Sequence, residues 1–138
     1  MATSTLFYNF KEVMLQGKIN LTGDTINVAL VTAAPTDFTK TQWSDISSTD
    51  VAAGGGYSAG GQALVGTLSI SGTKSVFMGP TTTSWINTTA AAVGAIIYDN
   101  STTPKYLIAY IDFGGTKYSS NGTFTITWDN TNGIFYFN

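Results

Sequence analysis

A glycine-rich run in the first half of the chain has the spacing of a dinucleotide-binding turn. Gly54, Gly56 and Ala59 in VAAGGGYSAGG spell G-x-G-x-x-A, a pattern whose backbone amides can cradle a pyrophosphate. That turn needs a buried strand before it, a helix after it and an acidic residue about 20 positions further on. Here the polar segment SDISSTD precedes the glycines, strand-like spacing follows them, and the distal position falls near Lys74. The sequence therefore predicts no nucleotide cofactor. The glycines are instead expected to allow positive φ angles where a loop re-enters a sheet.

The acidic residues are the remaining candidates for catalysis, because the chain contains no His and no Cys. Their absence removes the Ser-His-Asp and Cys-His arrangements and the common zinc sites. Paired carboxylates can hydrolyse glycosides, and Asp112 in YIDFGG is the one acid that a turn context does not explain. Its expected role is a hydrogen bond at a strand end, whereas Asp24, Asp99 and Asp129 lie in turn contexts. The sequence thus predicts a protein that is not an enzyme.

Charge and composition argue against nucleic acid, calcium and a membrane as partners. The chain has a net charge of −2 and no Arg, so its six lysines cannot form the basic stripe that nucleic acids require. Asp45 and Asp50 could ligate calcium, but their spacing matches no EF-hand loop. The apolar run near the N-terminus is interrupted by polar residues and predicts neither a signal peptide nor a membrane span. We therefore expect a protein made in a cytoplasm, with no metal, nucleic acid or membrane as its partner.

The elements that must position these residues are mainly strands. A helix is predicted from Thr5 to Gln16, capped by Ser4 or Thr5 and ended by Gly17, with an apolar stripe that docks on the sheet. A short turn, NTNG, predicts a C-terminal hairpin. Because no helices alternate with strands, residues 1–138 are predicted to form one mainly β domain, an antiparallel β-sandwich or jelly-roll-like barrel with one N-terminal helix. Six or seven short strands are expected, within DTINVALVTA, ALVGTLSIS, KSVFMG, AVGAIIYD, KYLIAYIDFG, GTFTITWD and IFYF.

A long polar stretch from Ala33 to Gly61 interrupts these strands. Loops of that length in a compact domain are usually functional or flexible. Phe38, Trp43 and Tyr57 lie in this loop, where no strand or helix periodicity explains them. Loop aromatics are enriched in protein interfaces and in sugar-stacking sites. The alternative is that these three side chains pin the loop to its own domain, and the sequence does not decide between the two.

The order of motifs resembles a family of small virion proteins of tailed bacteriophages. Members are predicted or assigned as capsid decoration (cement) proteins or as other head and tail structural proteins. The most specific motifs are DTINVALVT, GYSAGG with the following Leu64, and YIDFGG…SNGTFTI, and the shared order covers nearly the whole chain. The chain departs from the family pattern in its Thr-rich middle and in the extra glycines at positions 54 and 55. The family contributes no catalytic motif.

This resemblance implies a capsid decoration protein on the capsid surface of a virion that is assembled in the bacterial cytoplasm. It implies binding to the major capsid protein lattice as a homo-oligomer, with a trimer favoured because symmetric lattice positions suit symmetric binders. A charged fraction of only 10% fits a surface packed against neighbours. The alternative is a tail-associated or fibre-associated module that recognises host glycans. The predicted contact residues are Leu6, Phe7, Phe38, Trp43 and Tyr57.

Overall fold

The computed structural model describes residues 3–137, which form two antiparallel sheets. The larger sheet has the order β1-β7-β6-β2-β3 and the smaller one the order β4-β5-β8. This architecture confirms the predicted mainly β fold with one α-helix near the N-terminus, and fits its β-sandwich form. The strands are β1 (Thr3–Leu6), β2 (Ile26–Val31), β3 (Gln62–Ala63), β4 (Thr67–Ser71), β5 (Lys74–Met78), β6 (Thr82–Asp99), β7 (Leu107–Thr127) and β8 (Phe135–Phe137); the helices are α1 (Tyr8–Leu15) and two 3-10 turns, Trp43–Asp45 and Ser47–Thr49.

The main core lies against helix α1 and the smaller sheet. Phe10 and Val13 of α1 are buried, and the Phe10 ring packs against Phe135 and Phe137 of β8 at centroid distances of 5.5 and 5.8 Å. The predicted docking of the helix on its own domain is therefore confirmed. None of the helices within residues 3–137 is long and apolar enough to cross a membrane.

A second core lies beneath the long loop. Here Phe38 and Trp43 of the loop pack against buried residues that include Phe7, Ile96 and Tyr98. The middle strands of the larger sheet are apolar on both faces because one face meets the main core and the other meets this loop. The prediction that AVGAIIYD is a central strand is confirmed, since it forms the second half of β6.

The N-terminal segment differs from its prediction. Residues predicted to start the helix form strand β1 instead, in which Thr5 lies opposite Tyr110 of β7. The helix begins at Tyr8 after Phe7, and no side chain caps it. The predicted stop is confirmed: Gly17 has a φ of +73° and its amide donates to the carbonyl of Met14. Pairing with the β7 edge overrides the capping signal of Ser4 and Thr5.

Two strands that the sequence separates are one continuous strand, β7. The glycines Gly114 and Gly115, which indicated a strand end, have φ angles of +77° and +153° and form a bulge. Across this bulge a single residue of β6, Val93, faces residues 113–116, because Ala92 pairs with Lys117 and Gly94 with Asp112. The ladder then resumes, so β7 runs on to Thr127.

The segments on either side of β5 also depart from prediction. Leu64 is buried as expected, but β3 ends at Ala63 and a separate strand, β4, carries Leu68 and Ile70 on an exposed surface. The predicted C-terminal hairpin is wrong. The turn exists as a single bridge between Asp129 and Gly133, after which β8 pairs with β5 rather than with β7.

Candidate functional site

Two of the five predicted contact residues are buried, and the other three are partly exposed. Phe7 and Tyr57 are buried, so neither side chain is available at the surface, which corrects their prediction as contacts. Leu6 is half-buried against the main core. The Phe38 ring lies 5.2 Å from that of Phe7, and the Trp43 ring stacks on Tyr98. All three loop aromatics therefore pin the loop to its own domain, and Trp43 is in addition partly exposed at the surface.

A hydrogen-bond network fixes the same loop from within. The Tyr57 hydroxyl donates to Asp50 Oδ1 at 2.6 Å and accepts from the Leu30 amide at 2.9 Å. Asp50 Oδ2 accepts from the Gly60 amide at 2.7 Å, and the Tyr98 hydroxyl donates to the Gly60 carbonyl at 2.6 Å. Burial raises the pKa of Tyr57, and its bond to Asp50 acts in the same direction, so the hydroxyl remains a donor. The role of Asp50 in this network is structural.

The glycine-rich run lets the backbone of this loop turn and approach the neighbouring strands closely. Gly55, Gly60 and Gly61 have positive φ angles of +56°, +83° and +80°, as predicted for a loop re-entering a sheet. Gly56 has an ordinary φ but lies against the Ile86 carbonyl, where a Cβ atom would not fit. The run is followed by the two-residue strand β3 and not by a helix. The arrangement is a close approach of two backbones, at Asn87 for Gly55, at Ile86 for Gly56 and at Val28 for Gly61.

Most of the acidic residues have the local roles that their contexts predict. Asp112 Oδ1 accepts from the Gly114 amide at 2.9 Å, which is the predicted strand-end hydrogen bond. Asp129 Oδ1 accepts from the amides of Thr131 and Asn132 in its turn. Asp45 Oδ2 accepts from the amides of Thr41 and Gln42. Within residues 3–137 no group of three or more acidic side chains is placed to hold a metal ion.

Asp99 is an exception that the sequence did not reveal. Its Oδ1 accepts from the Ser101 amide at 2.8 Å, as a turn residue should, but the residue is fully buried. Its Oδ2 is also buried and accepts no hydrogen bond within the described part of the chain. Burial is the first cause that raises the pKa of Asp99 to about 7, and the second is the Asp24 carboxyl, to which a protonated Asp99 donates. The same contact lowers the pKa of Asp24, so the one proton that the two carboxyls share resides on Asp99.

Three exposed apolar side chains lie on or just before the outer strand of the smaller sheet, a surface that we call the β4 edge: Val65 and strand Thr67–Ser71. Val65, Leu68 and Ile70 are 83%, 56% and 74% exposed, and all five residues of β4 are exposed. Among residues 3–137, strand β4 pairs with β5 on one side only, so its other side presents backbone groups that no described strand pairs with. One sequence signal for this surface is the absence of any charged residue between Asp50 and Lys74.

Comparisons of the chain with protein-family models, with curated proteins and with solved structures found no match. Two surface features of residues 3–137 then stand out as sites for a partner or ligand. The first is the uncharged, apolar β4 edge. The second is an open groove beside Trp43, the loop aromatic that is both partly exposed and part of a concave surface.

Proposed function

We propose that this protein is a capsid decoration (cement) protein of a tailed bacteriophage, which binds the major capsid protein lattice and stabilises the head. The proposal draws on the ordered motifs DTINVALVT, GYSAGG and YIDFGG…SNGTFTI, and on a surface with few charges. The structural observation that carries it is the β4 edge. Several exposed apolar side chains grouped on one strand are typical of a protein interface, and a domain that is packed against neighbouring subunits needs such an interface.

The chemistry of the β4 edge specifies how a partner binds. Edge strands of soluble proteins are normally protected by Lys, Pro or a bulge, and β4 (TLSIS) has no charged residue and no proline. Its exposed backbone groups can add a strand from a neighbouring chain, while Leu68 and Ile70 enter apolar pockets of that chain. The proposed interface is centred on Leu68 and Ile70 and omits the buried Phe7 and Tyr57. The other contacts predicted from sequence, at Leu6, Phe38 and Trp43, stay predictions. Assembly into a homo-oligomer, with a trimer favoured, remains part of the proposal.

Stabilisation of the head follows from repetition of a modest contact. Burial of a Leu or Ile side chain contributes about 1.5–3 kcal/mol, from which the entropic cost of docking is subtracted. Copies bound across the junctions between capsomers add this contact at every seam. A homo-oligomer that engages several lattice positions at once gains further affinity, because its later contacts form at a high effective concentration.

Replacing Leu68 and Ile70 together with Thr is expected to weaken binding to capsids at least tenfold. Thr keeps the strand propensity of β4 but removes both apolar side chains, which are 56% and 74% exposed before docking and together contribute more than about 1.4 kcal/mol, or tenfold, when docking buries them. Cosedimentation with expanded capsids that lack the protein measures the change. Circular dichroism and the unfolding midpoint verify that the variant is folded.

Leu15→Ser is the matched control, because Leu15 is a 90% exposed apolar side chain at the end of α1 and does not belong to the β4 edge. It is expected to bind capsids as the wild type does. Equal capsid affinity of the double Thr variant and the wild type would show that the β4 edge is not the docking surface.

A further inference from the structure

Trp43 lines an open groove of about 400 Å³ where the long loop meets the connection between β6 and β7. The Trp43 amide donates to the Lys105 carbonyl at 2.8 Å, and Gln42 bridges to Tyr106, so the loop is joined to that connection at the floor of the groove. A volume of this size is typical of sites for small ligands. The groove is separate from the β4 edge and shares no residue with it.

The aromatic surface of this groove is held rigid before any ligand arrives. One face of the Trp43 ring stacks on Tyr98, with a centroid distance of 4.6 Å and an interplanar angle of 5°. Tyr98 is itself buried, and its hydroxyl is fixed by the Gly60 carbonyl. The part of the Trp43 ring that lines the groove is therefore its other face or its edge. A fixed ring loses little conformational entropy when a ligand stacks on it.

Small uncharged polar groups surround this ring. Ser44, Ser47 and Thr103 line the groove with hydroxyls, each of which can both donate and accept. The hydrogen bonds that shape the neighbouring turns use Asp45 and Thr49 instead. Lys105 adds one ammonium group, on an exposed side chain, at the same groove. The groove thus combines one aromatic side chain with several hydroxyl-bearing residues and a single positive charge.

We propose that the groove beside Trp43 is a carbohydrate-binding site. A pyranose ring has an apolar face of C–H groups, which stacks on an aromatic ring, and a rim of hydroxyls that bond to polar side chains. Lys105 favours a saccharide that carries a carboxylate. This inference does not depend on the capsid role, because it concerns a different surface.

A proline-rich peptide is the other ligand class that aromatic grooves accept. Such peptides bind grooves lined by several aromatic rings, between which successive prolines insert. Here one aromatic ring, Trp43, lines the groove, and its neighbours are hydroxyl, amide and ammonium side chains beside Pro104. The lining therefore favours a saccharide.

The test is a calorimetric titration of the full chain with lactose, cellobiose and digalacturonate, each up to about 20 mM, and with a polyproline peptide. Digalacturonate is expected to bind most tightly and to change the tryptophan fluorescence, because the other two tryptophans, Trp85 and Trp128, are buried. Trp43→Ala is expected to weaken binding at least tenfold. Ser44→Ala with Ser47→Ala, and separately Lys105→Gln, provide surface variants that leave the stacked ring in place.

Tyr118→Ala is the matched control, because Tyr118 is an exposed aromatic side chain beside a different groove. It is expected to leave saccharide binding unchanged, whereas Lys105→Gln should remove the preference for digalacturonate over the neutral sugars. Three results would each overturn the proposal: binding of none of the sugars, binding that Tyr118→Ala abolishes while the groove variants retain it, or binding of the polyproline peptide alone.

Discussion

Replacing Gly61 with Ala is expected to lower the free energy of unfolding by about 3 kcal/mol or more. Gly61 has a φ of +80°, which costs a residue with a Cβ atom about 1 kcal/mol. The larger penalty is steric, because that Cβ would overlap the Val28 carbonyl and lie 2.7 Å from the Cα of Ala29. These are backbone atoms of a buried central strand and cannot move aside without breaking its pairing with β6. Chemical denaturation monitored by circular dichroism measures the loss.

Gly54→Ala is the control for this prediction. Gly54 belongs to the same glycine-rich run, but no atom lies within 4 Å of its added Cβ, and its φ is not in the left-handed region. We expect its unfolding free energy to stay within about 0.5 kcal/mol of the wild type. If Gly61→Ala proved as stable as Gly54→Ala, the close approach of the loop to strand β2 would be wrong.

Asp99 is expected to make the stability of the protein fall as the pH rises from about 4 to about 7. Its pKa is raised from the ordinary 3.8 to about 7, by burial first and then by its bond to Asp24. Between these two values the folded chain holds a proton that the unfolded chain has released. The free energy of unfolding therefore decreases with pH across this window, by up to about 4 kcal/mol, and levels off above it. The lowered pKa of Asp24 acts only below this window.

Asp99→Asn is expected to abolish this slope and to be more stable than the wild type at pH 8. The amide can donate to Asp24 at every pH, whereas the wild type must bring two carboxylates together once the proton has left. Asp129→Asn is the control, because hydrogen bonds from the amides of Asn132 and Thr131 lower the pKa of that turn residue. The control should keep the wild-type slope. The free energy of unfolding of each variant is measured by denaturation at a series of pH values. If Asp99→Asn left its dependence on pH unchanged, the two carboxyls would not share a proton.

Local sequence patterns predicted the short strands β2 and β5 well, because each is an apolar run bounded by turn residues. The alternation in DTINVALVTA became β2, and KSVFMG became β5. The pattern failed at Gly114 and Gly115, because glycines in a bulge and glycines in a turn look alike in sequence. The prediction from pattern failed again at β4. An alternation of apolar and polar residues does not indicate whether another part of the chain covers the apolar face, and Leu68 and Ile70 are exposed.

The candidate sites depend on contacts between distant segments, and single-sequence reasoning does not supply those. Trp43 could be singled out as a loop aromatic, but its stacking on Tyr98 and the groove beside it required the structure. Tyr57 looked equally available in the sequence and is buried. Asp24 and Asp99 each read as ordinary turn residues, and only the pairing of β2 with β6 brings them together.

The capsid role is tested most directly by counting copies of this protein in the virion. Quantitative mass spectrometry of purified particles, with the major capsid protein as the internal reference, gives that number. The proposal predicts a ratio to the major capsid protein within a small factor of one to one, because decoration follows the lattice. A handful of copies per particle would contradict it and place the protein at the tail or on a fibre.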